Sequence, residues 1–298
     1  MLLQHLRKVF SDQLTNVAFS NLQGLASLYL SKDATPADVI TFLSNYEEYA
    51  PDWSYTSIII DEGQDFEEEH IILLYDIAKK NSGSFYVFYD KNQLVQQSSP
   101  LDWVDLMECR LVLTLNCRNT KSIAETAGNL VGIDEIKMAF EISGKKPRFY
   151  IEQSKESLSS RLAAIIREYT DSGIALKQIV IVTVKTLESS VLAAVNSVGK
   201  YRLTNTLDER GVLFTSARKF KGLESDIVIV VDVSVSTFDD SEQRKLFYVG
   251  ASRAKNFLDI VAVMTKEDEN TIASILSGKA KTNPRMAIMN VLRAKVMG

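Results

Sequence analysis

Residues 57–65 read Ser57-Ile58-Ile59-Ile60-Asp61-Glu62-Gly63-Gln64-Asp65, a run of three isoleucines followed directly by acidic residues. A short, uninterrupted β-branched run predicts a strand that is buried on both faces, as in a parallel sheet. The acids then follow the carboxyl end of the strand, where open α/β sheets bind their ligands. Asp61 and Glu62 suit a magnesium–nucleotide site, because one carboxylate can hold the metal while the other orients or deprotonates a water. The alternative is an acidic loop after a core strand.

The bulk composition narrows the class of protein. The chain has 298 residues, enough for one large or two modest domains, and 46% of them are hydrophobic. The net charge is −4 and the pI about 5.4, so any nucleic-acid site must be a local patch. Cys109 and Cys117 have no metal-ligand spacing, which argues against a zinc site and indicates reduced thiols. With no signal-peptide core and no membrane-length apolar run, we expect a soluble, cytoplasmic protein without a membrane partner.

Strands alternate with helices along most of the chain, which predicts a parallel α/β sheet. We expect the break between two domains to fall between Asp105 and Asn116. Three less regular segments are also assigned from their patterns. We expect a short strand at Val17–Ser20, a helix from the end of the strand at 178–184 to about Val198, and a terminal helix at 286–296.

Polar residues follow two further predicted strands. Asp90 and Gln93 come after the strand at 84–89 and could sense a γ-phosphate, although Asp-Lys-Asn-Gln is also ordinary turn chemistry. Arg118 follows a predicted strand at 111–115. A planar, bidentate guanidinium suits contact with a phosphate, but a lone arginine in this position is usually a surface residue.

Two later segments carry cations beside a glycine or an apolar helix face. Residues 215–224 read Thr-Ser-Ala-Arg-Lys-Phe-Lys-Gly-Leu-Glu, in which Arg218 and Lys219 could contact a phosphate backbone while Gly222 and Glu224 contact a nucleotide. A solvated basic loop is the alternative. Residues 243–254 read Gln-Arg-Lys-Leu-Phe-Tyr-Val-Gly-Ala-Ser-Arg-Ala, an amphipathic helix whose apolar face would anchor the segment that aims Arg253.

Taken in order, these five segments resemble motifs II to VI of superfamily 1 helicases of the UvrD/Rep type, over roughly residues 1–265. The resemblance implies that Asp61 holds Mg²⁺ and Glu62 activates water. It also implies that Asp90 lies at the nucleotide and that Gln93 senses the γ-phosphate. A weaker likeness around Phe19-Ser20 to motif Ib implies that Ser20 contacts DNA.

The second group of motifs carries the remaining implied roles. Arg118 and Arg253 would neutralise the γ-phosphate from across a domain cleft, with Arg253 as an arginine finger. Gly222 and Glu224 would contact the nucleotide, and Arg218 and Lys219 the DNA. The chain departs from the family with Tyr89 for a glycine, Cys117 for a tyrosine that packs on adenine, and Arg218 for a frequent histidine. The adenine contact is therefore weakened or supplied elsewhere. The aromatic residue and arginine that often follow the glutamine of motif III are also missing, because residues 94–97 read Leu-Val-Gln-Gln.

The resemblance implies two RecA-like parallel-sheet domains of the P-loop NTPase type, residues 1–109 with motifs Ib, II and III and residues 110–298 with motifs IV, V and VI. The resemblance also implies ATP and Mg²⁺ as cofactors and ATP-driven movement along DNA as the function. We expect this DNA to be single-stranded. The phosphate cradle Gly-x-x-x-x-Gly-Lys-[Ser/Thr] is missing from the chain, so we expect the first domain to be incomplete at its amino end. We therefore expect weak or no ATP hydrolysis by this chain alone.

Other interpretations remain open from sequence. The chain could be an expressed fragment, the product of a truncated gene, or a subunit whose partner carries the cradle. It could also be a non-hydrolysing RecA-like module that binds DNA or a protein, or the motor subunit of a DNA repair or defence complex.

Overall fold

The computed structural model describes residues 10, 14–90, 103–104, 107–111, 115–133, 135–206, 210–277 and 283–297. The chain divides into two compact units, Met1–Val112 and Leu113–Gly298. The fold is mixed α/β and contains one large, mostly parallel sheet. The assignment of each unit as a RecA-like domain stays a prediction. Within the described residues, no helix combines the length and the apolar character needed to cross a membrane.

The first unit packs helices against one face of a two-stranded sheet. Its elements are α1 (Leu22–Leu30), α2 (Pro36–Ser44), α3 (Tyr46–Tyr49), β1 (Ile58–Ile60), α4 (Glu68–Lys80) and β2 (Phe85–Val87). Thr35 and Asp38 form a capping box around the first turn of α2, and Pro36 takes a position where its missing N–H costs nothing. Helix α4 places acids in its first turn and Lys79 and Lys80 in its last, as the helix dipole favours.

Strands β1 and β2 pair in parallel, with Ile59 opposite Tyr86. Ile60 is buried against the core of the unit, but Ile59 is 67% exposed and Tyr86 is 56% exposed. The expected burial of β1 on both faces is therefore wrong. The helices pack on one face of the sheet, and in the described part of the chain the side chain of Ile59 on the other face stays open to solvent.

The expected strand at Val17–Ser20 is also wrong. These residues form no strand, and Val17 is exposed. The segment instead leads into α1, where Asn21 caps the helix by accepting a hydrogen bond from the N–H of Gly24 at 2.7 Å. The apolar spacing of the first residues also predicts an amphipathic helix at the start of the chain, formed by Leu2, Leu3, Leu6, Val9, Phe10 and Leu14. Most of this segment lies outside the described residues.

The second unit contains the large sheet. Its elements in chain order are β3 (Leu115–Asn116), α5 (Lys121–Asn129), β4 (Lys137–Met138), β5 (Arg148–Glu152), α6 (Lys155–Asp171), β6 (Ile179–Thr183), β7 (Ser197–Val198), β8 (Tyr201–Thr204), β9 (Val212–Ser216), α7 (Ala217–Phe220), β10 (Ser225–Val231), α8 (Val235–Asp239), α9 (Ser241–Ala251), β11 (Ala254–Val263), α10 (Lys266–Ser277), α11 (Pro284–Leu292) and β12 (Lys295–Met297).

Eight of these strands form the large sheet in the order β12-β5-β11-β10-β6-β9-β8-β7. Neighbouring strands are parallel except β7 and β8, which form an antiparallel pair at one side. Strands β6 and β9 are buried at every residue, and the sequence of β6 predicts a buried strand. A separate pair, β3 and β4, lies outside this sheet.

Two helices expected in the second unit are corrected. Residues 185–196 form turns rather than a helix, because buried Asp232 draws this segment in: it accepts hydrogen bonds from the hydroxyls of Thr183 and Ser190 and from the N–H of Val191. The terminal helix ends at Leu292 instead of continuing to residue 296. Arg293 adopts a left-handed conformation (φ 50°), and β12 then pairs with β5.

A buried ion pair joins two neighbouring strands of the sheet. Arg148 of β5 donates to both carboxylate oxygens of Asp259 of β11, at 2.6 and 2.9 Å, and Tyr169 donates to the same carboxylate at 2.8 Å. Burial opposes the charge on Arg148, but its bonds to Asp259 outweigh that effect and raise the pKa of Arg148. Burial also raises the pKa of Tyr150 to about 12. The carboxylate in this pair is fully buried, so it belongs to the fold and not to a surface site.

Candidate functional site

The acidic run of the first unit lies at the carboxyl end of β1. Asp61 is exposed and Glu62 is half-buried. Glu62 adopts a left-handed backbone conformation (φ 55°, ψ 45°), and its N–H donates to Asp61 Oδ1 at 3.0 Å. A non-glycine residue in this region carries a conformational cost that functional sites often retain. The turn places both residues of the predicted magnesium site at one strand end.

Gln64 fixes this turn, and sequence reasoning assigned it no role. Its side chain is fully buried. Its Nε2 donates to Glu62 Oε2, while its Oε1 accepts a hydrogen bond from the N–H of Asp90 at 3.0 Å. One amide therefore joins the predicted water-activating carboxylate to the end of the neighbouring strand.

Gly63 completes the connection between the two strand ends. Its N–H donates to the carbonyl of Phe88 at 2.8 Å, and a Cβ at this position would lie 2.4 Å from Val87 Cγ1. A side chain at position 63 would therefore clash with the side chain of Val87 in β2. The structure thus brings Asp61, Glu62 and Asp90 to one end of the small sheet.

The other two predicted site residues of the first unit have different outcomes. Gln93 lies outside the described residues. Ser20 lies just before α1, is exposed, and donates its hydroxyl to the carbonyl of Asn21 at 3.0 Å. Its position is compatible with a surface contact, and its role as a DNA ligand stays a prediction.

The donor chemistry at the end of β1 fits Mg²⁺. In the described part of the chain, no group of three or more His, Cys, Asp or Glu side chains is arranged to hold a metal. Magnesium is commonly held by one or two carboxylates, with water and substrate phosphates completing its octahedral shell. The exposed carboxylate of Asp61 with Glu62 beside it meets that requirement.

In the second unit, the structure brings Arg118 and Glu224 together. Arg118 Nε lies 3.4 Å from Glu224 Oε2, although the two residues come from motifs more than 100 positions apart. Lys255 Nζ lies 3.8 Å from Glu224 Oε1 and 3.6 Å from Asp226 Oδ1. Lys255 is a second cation that the sequence analysis did not single out, although it follows Arg253 by two positions.

The loop carrying Arg118 is held against the chain around Arg253. Asn119 is buried, and its Nδ2 donates to the carbonyls of Ser252, at 2.8 Å, and Ala254. The side chain of Arg253 is 2% exposed, and its Nε donates to the carbonyl of Val249 at 3.2 Å. In this conformation Arg253 is packed beneath the surface, whereas contact with a phosphate would require its guanidinium to be accessible.

Two different edges of the large sheet carry the predicted contacts. Glu224 and Arg253 precede β10 and β11, so they lie at the edge where these strands begin, the amino edge. Arg218 and Lys219 follow the end of β9, at the opposite, carboxyl edge. Both are exposed, and Arg218 forms an ion pair with Glu242 of α9.

The link between the two edges runs through α7 and Gly222, whose φ is 79°. This left-handed conformation is one that glycine adopts readily. The predicted nucleotide residues and the predicted DNA residues of this segment therefore lie at opposite ends of the strands.

Residues 211–261 match the model of the UvrD-like helicase C-terminal domain. This segment runs from the start of β9 into β11 and includes Gly222, Glu224 and Arg253, so the resemblance named from the sequence is confirmed there. A solved structure described as the C-terminal domain of a possible DNA helicase from Lactobacillus plantarum WCFS1 is also similar, at 21% identity and a TM-score of 0.41. That match covers 55% of this chain and 96% of the other chain. No curated protein matches the chain.

Proposed function

We propose that this chain, with a segment similar to the UvrD-like helicase C-terminal domain, is part of an ATP-dependent DNA helicase or translocase. The observation that carries the proposal is the pairing of Arg118 with Glu224 at the amino edge of the large sheet. Two segments far apart in sequence meet there, as a shared nucleotide site requires. Hydrolysis would be coupled to movement along single-stranded DNA.

The residues of the first unit have roles that follow from their chemistry. Asp61 would hold Mg²⁺, which supplies charge neutralisation at the phosphates. Glu62 would orient a water and accept its proton, and the amide of Gln64 keeps that carboxylate at the end of β1. Asp90 would lie at the nucleotide, and we also propose Gln93 as the γ-phosphate sensor.

The residues of the second unit would act on the charge of the phosphates. Arg118 would neutralise negative charge that develops on the transferred phosphoryl group, as arginines do in other phosphoryl-transfer enzymes. Arg253 would do the same only after its buried guanidinium becomes accessible. Gly222 and Glu224 would contact the nucleotide, and Glu224 also keeps Arg118 at this edge. Ser20, Arg218 and Lys219 would contact the DNA backbone.

An ATP-driven motor would need a phosphate cradle that these 298 residues do not carry. The run Gly-x-x-x-x-Gly-Lys-[Ser/Thr], whose backbone N–H groups and lysine bind phosphates, is not present in the sequence. We propose that a partner protein or a further segment of the same protein supplies it. The complete assembly would be a motor in DNA repair or defence.

The first test is ATP hydrolysis by this chain with Mg²⁺, measured with and without single-stranded DNA and compared with Glu62→Gln. We expect little or no turnover, because the β- and γ-phosphates lack their cradle. DNA-stimulated turnover that disappears in Glu62→Gln would contradict the expected inactivity while supporting the motor. If the chain binds neither ADP nor single-stranded DNA, the proposed function itself is contradicted.

A non-hydrolysing interaction module is the second candidate, and the missing cradle sequence favours it. Such a module would bind DNA or a protein through the same scaffold without turnover. Addition of the protein that carries the cradle distinguishes the two candidates. ATP hydrolysis that then depends on Glu62 identifies a motor, and continued inactivity identifies a module.

A further inference from the structure

A pocket of about 80 Å³ lies within the second unit beside Arg118. Its wall combines two cations, Arg118 and Lys255, with three apolar residues, Met138, Phe140 and Ile142. Asn116 adds an amide. This combination suits a ligand with an anionic group attached to a flat, apolar body.

The apolar side of the pocket is exposed to an unusual degree. Phe140 is 63% exposed and Ile142 is 58% exposed. Single apolar residues on a surface need no explanation. Two exposed apolar residues that line one pocket beside cations are a candidate for ligand contact. These two side chains add apolar surface next to groups that can bind phosphate.

The backbone holds Phe140 and Ile142 in this position. The N–H of Ala139 donates to the carbonyl of Asn116, and the N–H of Lys121 donates to the carbonyl of Ile142, both at 2.9 Å. The N–H of Ser122 donates to the carbonyl of Ser143 at 3.0 Å. The segment is therefore fastened to β3 and to the first turn of α5, so its exposed side chains are presented by a fixed backbone.

An acidic residue outside the pocket wall contacts both cations of the pocket. Glu224 contacts both Arg118 and Lys255, and Glu224 is not part of the pocket wall. Arg118 and Lys255 have long, mobile side chains, and the ion pairs with Glu224 keep their positive groups near the pocket. An anionic group would find both cations in place.

We propose that Phe140 stacks on the base of a nucleotide whose phosphates face Arg118 and Lys255. This inference rests on the proposed function and identifies the base contact of that site. Cys117 lines the same pocket but has no ring for stacking, so the aromatic surface there comes from Phe140. A ring of this kind stabilises a stacked base by dispersion and by desolvation of both faces.

The test compares binding of Mg–ADP and of inorganic pyrophosphate by calorimetry, using the whole chain. Phe140→Ala should weaken ADP binding roughly 5- to 100-fold and leave pyrophosphate binding unchanged, because only the base contact is lost. Phe140→Tyr should retain the affinity for ADP. Arg118→Ala should weaken both ligands, because both carry phosphate.

Leu28→Ala is the matched control, since Leu28 is 67% exposed on α1 in the first unit, away from every residue proposed to contact the nucleotide. It should leave both affinities unchanged. Saturation-transfer NMR supplies an independent measurement, because the adenine protons of ADP should receive magnetisation from the wild-type chain and lose most of it in Phe140→Ala.

The outcomes separate this inference from the proposed function. If Phe140→Ala binds ADP like the wild type while Arg118→Ala does not, the base contact is overturned and the nucleotide site survives. If Phe140→Ala weakens ADP and pyrophosphate equally, stacking is also overturned. If the wild-type chain binds neither ligand, the nucleotide site and its base contact both fail.

Discussion

Gln64 shows how one buried amide can organise a candidate active site. Both ends of its side chain are used, one on the carboxylate of Glu62 and the other on the N–H of Asp90. Because the amide is fully buried, each lost hydrogen bond would leave a polar group without water to replace the partner. The side chain therefore stabilises the first unit and sets the position of Glu62.

Gln64→Ala should lower the free energy of unfolding of the first unit by about 1–3 kcal/mol, because it removes a buried donor and acceptor together. Both tryptophans of the chain, Trp53 and Trp103, lie in this unit, so tryptophan fluorescence during urea unfolding follows it specifically. Gln23→Ala is the control, since Gln23 is exposed on α1, and it should change stability by no more than about 0.5 kcal/mol. Equal midpoints for Gln64→Ala and Gln23→Ala would refute the role of this amide.

The residues of the candidate site were predictable to different extents. Arg118 and Glu224 could be chosen from their motifs, because their residue types and neighbours are distinctive. Gln64 stands in the same acidic run, but its role depends on where β2 ends, which sequence spacing does not give. Phe140 and Lys255 stand outside the chosen motif positions, and only the folded backbone brings them beside Arg118.

At the scale of elements, the turns at 185–196 replace a helix that the apolar spacing predicted. The competing factor is Asp232, which is 7% exposed and comes directly after the end of β10. It accepts hydrogen bonds from Thr183, Ser190 and the N–H of Val191. A buried carboxylate with three donors outweighs local helix propensity, since two buried hydroxyls would otherwise lack a partner.

Asp232→Ala should destabilise the second unit by about 2–5 kcal/mol, because two buried hydroxyls and the partly buried N–H of Val191 lose their acceptor. Asp232 also has a φ of 65°, so alanine adds backbone strain of about 1 kcal/mol or more at this position. Asp232→Gly removes that strain and keeps the loss of the acceptor. Urea unfolding followed by circular dichroism should place Asp232→Gly between the wild type and Asp232→Ala, and wild-type stability in Asp232→Gly would contradict the role of the carboxylate.

The strands were predictable where their composition was extreme. Strand β6 begins with four apolar residues and is buried throughout, as expected inside a parallel sheet. The same reasoning failed for β1, because Ile58–Ile60 has an equally apolar sequence in a sheet of only two strands among the described residues. Composition indicates a strand, but the number of layers that cover it depends on the rest of the fold.

At the scale of the whole molecule, the negative net charge contrasts with the positive charge of two neighbouring exposed side chains. The net charge of −4 would disfavour DNA binding by the molecule as a whole. Yet the exposed side chains of Arg218 and Lys219 lie together at the carboxyl edge of the large sheet, away from the amino edge with its Arg118–Glu224 pair. The proposed DNA contact and the proposed nucleotide contact would therefore use opposite edges of one sheet.

Lys219→Ala should weaken binding of single-stranded DNA and reduce the slope of log affinity against log salt by about 0.7, as expected for one lost phosphate contact. Lys177→Ala is the matched control, because Lys177 precedes β6 at the amino edge and the change in charge is the same. Fluorescence anisotropy with a labelled oligonucleotide over a salt series measures both variants. A Lys177→Ala effect equal to that of Lys219→Ala would show that binding follows net charge and not the carboxyl edge.

The exposed thiol of Cys117 makes the pocket beside Arg118 chemically addressable. A maleimide would react there covalently, and a bound ligand would shield the sulfur and slow its alkylation. Cys109 is also exposed but lies in the first unit, so it provides an internal reference for the intrinsic reactivity of a surface thiol. With only two cysteines in the chain, mass spectrometry of the two labelled peptides would report occupancy of the pocket as a ratio, without any engineered probe.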